Sequence, residues 1–308
     1  MRNARQEAHD RLGDRYEVRV LEPSPPAVDE EPWFADDPPA RGEVPEGREL
    51  VSPVTTGDLL WDELAADDAG LAAWCAERWL GAYRRLEAPP ASLPATRLAL
   101  HRVAERVLTP ARQRANGKIA LRYVAGGFGT PFFGADEQVR VEGVELVVDS
   151  PGGERRAPIT SLAAAAGHVG VPLEGDDEPL EVDEAASRFL GDWYGFTASV
   201  LEQLRAEAGP ELEASRAQLW TEHFDLATEL GAKDAGARAG YGGSPGDERH
   251  PEPYLYVVPW EASRASGEGW NAGGYAGAEV SLAELLDAPD QRAAALDFFR
   301  GRLRTLMS

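Results

Sequence analysis

The sequence is poor in several residue types that other proteins use freely. Its 308 residues include one cysteine and two methionines, and only two lysines, Lys118 and Lys233, accompany its many arginines. The single cysteine, Cys75, excludes an internal disulfide bond and agrees with a reducing compartment. The preference for arginine over lysine, together with abundant alanine and glycine, indicates a GC-rich bacterial genome.

Positive charge is also scarce. The chain carries 31 Lys and Arg residues against 53 Asp and Glu residues, which gives a formal net charge of -22 and a pI near 4.6. Nucleic acids and anionic bilayers attract clustered basic residues, so this balance argues against both as partners. A salt-adapted proteome is acidic and lysine-poor as well, and charge alone does not separate that origin from a GC-rich genome.

Long apolar runs are missing. No stretch approaches the roughly 18 apolar residues that a membrane-spanning helix needs. Residues 1–15 are rich in charged side chains and lack the apolar core of a signal peptide. The sequence therefore predicts a soluble cytoplasmic protein without membrane contact.

The chain divides into an arm and a body. Residues 1–53 hold 8 of the 23 prolines and several acidic clusters, which predicts an extended Pro-rich acidic arm with little core of its own. Residues 54–308 are predicted to form a single compact domain, and a boundary near residue 175 is the alternative. With 43% hydrophobic residues the chain can fill a core.

The pattern of the body predicts an α+β fold in which helices pack against mainly antiparallel β-sheet. Strands are predicted as a meander over 117–159 and at 219–226, 253–258 and 275–280. Helices are predicted at 67–86 with Cys75 facing the core, after Pro94, at 160–168, from an N-cap at Asp183 towards Gly209, and after a capping box of Ser281 and Glu284 with a break at Pro289.

The densest group of polar residues surrounds His223 and Asp225. On a strand over 219–226 these two side chains share one face, about 6.6 Å apart at roughly 3.3 Å per residue. They are predicted as catalytic residues, either as a general-base pair or as two metal ligands. Further ligands would come from a set of nearby polar residues: Glu222, Asp247, His250 and Glu252. The alternative is structural: His223 donates a hydrogen bond to Asp225 or to a backbone carbonyl on a solvent-facing strand.

Four further residues are predicted to bind a ligand: Asp247, Glu252, Tyr254 and Trp260. Asp247 ends a Ser-Pro-Gly-Asp turn, whose amides and carboxylate can cap a neighbouring element or contact a ligand. On the predicted strand 253–258, Tyr254 and Tyr256 share a face, and Trp260 extends this aromatic wall. Packing without a ligand is the alternative for such a wall.

Motifs for known cofactors do not support a specific assignment. The segment Gly126-Gly127-Phe128-Gly129 follows a strand, but Pro131 prevents the helix that a phosphate-binding loop needs, so a tight turn or bulge is predicted. Nucleophile-elbow, Walker, paired-cysteine zinc and His-Glu-x-x-His motifs are absent from the sequence. His101 and Glu105 have i,i+4 spacing, which is typical of a helix-surface pair and also fits a metal site. The cofactor and the metal remain unknown at this point.

Several segments resemble an uncharacterised bacterial family of the domain-of-unknown-function kind. They are WTEHFDLA (220–227), SPGDE (244–248), PEPYLYV (251–257) and WNAGGYAGA (270–278). The opening YEVRVLEPSPPAV (16–28), Leu100-His101 and Gly117-Lys118-Ile119 are similar to the same family, so the resemblance spans most of the chain. It implies an actinobacterial-type cytosolic protein. It implies no particular activity.

Two hypotheses for function follow. The first is a binding site for a small polar molecule or a metal around His223 and Asp225, with hydrolysis as the reaction it would support. It requires the two side chains to converge in a cavity. The second is a non-catalytic protein that binds a protein partner through its acidic surface or its N-terminal arm.

Overall fold

A computed structural model describes residues 85–308 of the protein, apart from Ala125, residues 131–136, Pro151 and Arg216. This part of the chain confirms the α+β prediction, since it contains two five-stranded antiparallel sheets with helices packed against them. The predicted arm of residues 1–53 and the body of the predicted helix with Cys75 lie outside the described residues.

The first sheet is a meander whose strands follow chain order, as predicted for residues 117–159. Its strands are β1 (Arg122–Val124), β2 (Gly127–Gly129), β3 (Gln138–Glu142), β4 (Glu145–Asp149) and β5 (Arg155–Pro158). Strand β2 corrects the predicted turn or bulge at this segment. A Cβ atom at Gly127 would lie 2.0 Å from the Val141 carbonyl oxygen, so the glycines allow an unusually close approach to β3 while Phe128 fills the core.

The second sheet has the order β10-β9-β8-β7-β6 and is also a meander. Its strands are β6 (Gln218–Trp220), β7 (Asp225–Leu230), β8 (Ala239–Ser244), β9 (Tyr254–Pro259) and β10 (Ala278–Ser281). The predicted single strand over 219–226 is wrong, because a turn at residues 221–224 separates β6 from β7. The prediction also missed β8, where a run of glycines resembled a loop, whereas β9 agrees with it.

The helices agree closely with the sequence pattern. They are α1 (Leu93–Val103), a π-helical turn (Ala104–Leu108), α2 (Thr109–Asn116), α3 (Leu162–Val169), α4 (Glu184–Glu207), α5 (Leu282–Asp287) and α6 (Gln291–Met307). Short 3-10 turns lie at Pro210–Leu212, Lys233–Ala235 and Ala262–Arg264. The π-helical turn precedes Pro110, which has no N–H to continue the helical ladder, and Thr109 bonds back to the Ala104 carbonyl instead. Within the described residues no helix has the length and apolar character to cross a membrane.

Helix α4 joins the two sheets. Asp183 caps it by accepting a hydrogen bond from the Ala186 amide at 2.9 Å, as predicted. The predicted apolar stripe is buried and comprises Phe189, Trp193, Phe196, Val200 and Leu204. The helix packs against β1 and β2 of the first sheet and against β7 and β8 of the second. A backbone bridge between Leu121 and Leu219 links the sheets directly.

The second sheet has two different faces. Strand residues that point inward, such as Leu226, Tyr241 and Leu255, are buried in the shared core beside α4 and α6. Directly paired residues share a face, so Ala227, Gly242 and Tyr256 lie together on the outer side. Small residues in the middle of this outer face leave room above the sheet, and the candidate site occupies that room.

Candidate functional site

A cavity of about 1300 Å³ lies on the outer face of the second sheet. Its walls are the first half of α1, the turn at 221–224 and the loop that follows β8. Five of the six residues predicted as catalytic or ligand-binding line it: His223, Asp225, Asp247, Tyr254 and Trp260. Glu252 is exposed and does not belong to the lining. The volume is sufficient for a metabolite-sized ligand.

The turn between β6 and β7 changes how His223 and Asp225 are related. His223 lies within the turn and is exposed, whereas Asp225 is the first residue of β7 and is buried. The chain changes direction at Phe224, whose φ of 55° is in the left-handed region that residues other than glycine rarely adopt. Strand alternation therefore does not apply across these residues, and the side chains of His223 and Asp225 form no hydrogen bond.

Tertiary contacts hold this unusual turn in place. The Tyr194 hydroxyl of α4 donates a hydrogen bond to the Phe224 carbonyl at 2.7 Å. The ring of His101 from α1 stacks on the Phe224 ring, with centroids 4.9 Å apart and an angle of 7° between the planes. The His101 Nε2 atom also lies 2.5 Å from the Thr221 carbonyl oxygen. The strain at Phe224 is therefore balanced by contacts from two helices, an arrangement often found beside binding sites.

Asp225 makes the central polar contact of the cavity. Its Oδ2 atom accepts a hydrogen bond from the Tyr256 hydroxyl of β9, while its Oδ1 atom has no hydrogen-bond partner among the described residues. The side chain is only 6% exposed. Burial raises the pKa of the Asp225 carboxyl, and the hydrogen bond from Tyr256 and the proximity of His223 oppose that shift. An acceptor without a donor in so buried a position is a candidate for binding a ligand.

Tyr256 is fixed beside Asp225 by the absence of a side chain on β8. A Cβ atom at Gly242 would lie 2.5 Å from the Tyr256 hydroxyl oxygen, so any larger residue there would displace the phenol. Burial, and then the neighbouring Asp225 charge, raise the pKa of Tyr256 well above its ordinary value. The phenol therefore keeps its proton and serves as a donor to the carboxylate.

Arg97 provides a buried cation on the opposite wall. Its Nη1 atom donates hydrogen bonds to the carbonyls of Pro245, at 3.0 Å, and Pro251, at 2.8 Å. These bonds join α1 to both ends of the loop after β8. Burial lowers the pKa of Arg97, and the charge of Asp247 acts in the opposite direction.

The loop after β8 is organised by Asp247. Its Oδ1 atom accepts hydrogen bonds from the amides of Arg249, at 2.6 Å, and His250, at 2.7 Å. These bonds order residues 247–250, one step after the predicted Ser244–Asp247 turn, so that Asp247 caps its own loop. The ring of His250 packs edge-on against Tyr254 with centroids 4.0 Å apart, which orders one end of the aromatic wall.

Aromatic side chains form the rim of the cavity. Trp220, Trp260 and Tyr275 line it and are 37%, 53% and 36% exposed. The Trp260 indole donates a hydrogen bond to Glu229 at 3.1 Å, and the guanidinium of Arg238 lies 5.4 Å from its ring centre. The rim can therefore cover an apolar or cationic part of a ligand.

Sequence reasoning missed several lining residues, above all Arg97, and it did not include Tyr256 or His101 among the predicted catalytic or ligand-binding residues. Arg97 lies 148 residues from Pro245 in the chain, so no local pattern could connect them. His101 and Glu105 do form the predicted helix-surface pair, with 3.6 Å between nitrogen and oxygen. The placement of Tyr256 on the face of Tyr254 was the one signal available, and the structure confirms that placement.

A metal site finds no support in the described part of the chain, where no three His, Cys, Asp or Glu side chains cluster closely enough to hold an ion. Comparisons with known proteins add no assignment: no family model, no curated protein and no solved structure matches the chain. Any functional conclusion therefore depends on the chemistry of the cavity itself.

Proposed function

We propose that this protein binds a small polar molecule in the cavity on the outer face of its second sheet, with Asp225 as the anchoring acceptor. The observation that carries the proposal is the unpartnered Oδ1 atom of Asp225, a buried carboxylate oxygen in the wall of a cavity. Leaving such an acceptor without a hydrogen bond costs roughly 1–3 kcal/mol, which a ligand with a donor group recovers on binding.

The segments behind the family resemblance support this location. The ranges 220–227, 244–248 and 251–257 each contribute residues to the wall, and Tyr275 belongs to the fourth segment. Residues from these four segments thus border one cavity, as expected if the family uses it for a common ligand.

The test is a thermal-shift screen of the full chain against a library of polar metabolites, with hits measured by isothermal titration calorimetry. Asp225→Asn is expected to weaken binding of a true ligand at least about tenfold, because the amide carries no charge. Glu252→Gln is the matched control, since Glu252 lies in the neighbouring loop outside the cavity. Equal affinities of wild type and Asp225→Asn for every hit would refute the proposal.

A second candidate function is docking of a protein partner at the same rim. It is favoured by the exposed aromatic side chains of Trp220, Trp260 and Tyr275. Substitution of Trp260 by alanine would then abolish partner binding, whereas Asp225→Asn, inside the cavity, would leave partner binding unchanged.

A further inference from the structure

Two oppositely charged side chains line the cavity without pairing with each other. Arg97 is 8% exposed and Asp225 is 6% exposed, so both are more than nine-tenths buried. Buried charges in proteins are normally neutralised by a direct partner, because removal from water is costly. Here Asp225 has only the Tyr256 hydroxyl, and Arg97 has only backbone carbonyls, among the described residues.

Arg97 retains unused hydrogen-bonding capacity. A guanidinium has five N–H donors in a planar fork, and the bonds to Pro245 and Pro251 come from the Nη1 atom alone. No carboxylate of the described residues lies within salt-bridge distance of it. Such a fork is well suited to a carboxylate, which it can hold with two parallel hydrogen bonds.

The sheet places Asp225 next to the loop that Arg97 contacts. Leu226 pairs with Gly243, so one step further along the ladder Asp225 lies opposite Ser244, across a strand spacing of about 4.8 Å. The next residue is Pro245, whose carbonyl accepts the bond from Arg97. Burial is the main reason that the pKa of the Tyr194 hydroxyl is raised. The charge of Asp225 raises this pKa further and the charge of Arg97 lowers it, so Tyr194 is influenced by both groups.

The other charges of the cavity restrict the kind of ligand. The lining also includes four further carboxylates but one further arginine, Arg249, so a simple anion at Arg97 would meet a surplus of negative charge; the carboxylates are Glu222, Glu229, Asp247 and Glu248. A simple cation at Asp225 would leave Arg97 without a partner. A molecule that carries one charge of each sign, a short distance apart, satisfies both buried groups at once.

We infer that the cavity binds a free α-amino acid, with its ammonium group at Asp225 and its carboxylate at Arg97. Tyr254 pairs with Ser244, at the same end of the sheet as Asp225, and its ring favours an apolar or aromatic side chain on the amino acid. This inference rests on the proposed function and names its ligand class.

The experiment titrates the full chain with the twenty standard L-amino acids by isothermal titration calorimetry. The strongest binder is then compared with its decarboxylated amine and its deaminated acid. The parent amino acid is expected to bind at least about tenfold more tightly than either analogue, because each analogue lacks one charged contact.

Two variants separate the contacts. Asp225→Asn should weaken the amino acid and the amine about tenfold or more and leave the acid unchanged. Arg97→Gln should weaken the amino acid and the acid and leave the amine unchanged. Unchanged affinity for the analogue that lacks the altered contact shows that each variant is folded. Arg102→Gln is the control, because Arg102 lies on the same helix but pairs with Glu178.

Three results would overturn the inference. One is the absence of binding by any amino acid, and another is equal affinity for the amino acid and its amine. The third is an equal loss of affinity for both analogues in Arg97→Gln, which would mean that Arg97 only holds the loop and does not contact the ligand. If another polar metabolite binds in a manner that depends on Asp225, the proposed function stands and the amino-acid inference fails.

Discussion

At the scale of single residues, Asp225 shows a conflict between stability and binding. Its carboxylate is buried, one oxygen is bonded to Tyr256, and the other has no partner among the described residues. A protein selected for stability alone would not keep this arrangement, since an unpaired buried charge is among the more costly features of a core. Binding sites commonly retain such features because the ligand supplies the missing contact.

Replacing Asp225 by asparagine should stabilise the ligand-free protein at neutral pH. Burial raises the folded-state pKa of Asp225 above its ordinary value of 3.8, so its contribution to stability is full below that value and is lost as pH rises through the raised pKa. Asparagine does not ionise and keeps an acceptor for Tyr256. The gain in the free energy of unfolding should be on the order of 1 kcal/mol at neutral pH and disappear near about pH 4.

Urea unfolding of both proteins across this pH range measures the effect. Glu252→Gln should follow the wild-type curve, because that side chain is exposed. A constant difference between wild type and Asp225→Asn at every pH would show that the carboxyl is not perturbed by burial.

At the scale of elements, the cavity depends on segments that local propensity describes poorly. Strand β8 contains three glycines within six residues, and the turn before β7 places a phenylalanine in the left-handed region. Both are explained by close contacts: Gly242 makes room for the Tyr256 phenol, and Tyr194 holds the Phe224 carbonyl. The elements with ordinary signals, such as α4 with its Asp183 cap, form the frame around them.

Gly246→Ala, in the loop after β8, should lower the free energy of unfolding by more than the backbone angle of Gly246 alone explains. Gly246 has a φ of 88°, and an added Cβ would lie 2.7 Å from the Arg97 Nη1 atom and from two carbonyl oxygens of the loop. The expected loss in the free energy of unfolding is roughly 2–4 kcal/mol, the sum of the left-handed backbone cost and of overpacking.

Gly267→Ala is the matched control for this variant. Gly267 has a φ of 89° with nothing within 4 Å of an added Cβ, so only the backbone cost of about 1 kcal/mol applies. Denaturant unfolding with a shared m-value provides the comparison. Losses of equal size in the two variants would mean that Arg97 and the loop carbonyls move away from the added Cβ at no cost in stability.

At the scale of the whole molecule, the two sheets are joined through α4 and through the bridge between Leu121 and Leu219. Their hydrophobic residues belong to one continuous cluster. We therefore expect the described region to unfold cooperatively. The shared core also explains how contacts from α1 and α4 can fix the turn beside Asp225.

Hydrogen exchange of the full chain in increasing urea tests that coupling. Amides of β4 in the first sheet and of β9 in the second should open with the same free energy, because exposure of either sheet removes its packing against α4. The exposed residues 266–269 provide an internal reference for local opening. Separate transitions for β4 and β9 would instead divide the chain into two independently stable units.

The sequence by itself determined the α+β class, the caps at Asp183 and Ser281, the break at Pro289 and the common face of Tyr254 and Tyr256. These features depend on side chains close together in the chain, where spacing and capping chemistry are visible. Only the tertiary structure decided that Tyr256, 31 residues away, is the partner of Asp225, and that Arg97 reaches the loop after β8 from 148 residues away. The physical reason is that a buried charge selects its partners by geometry and desolvation, and those depend on elements brought together only when the chain folds.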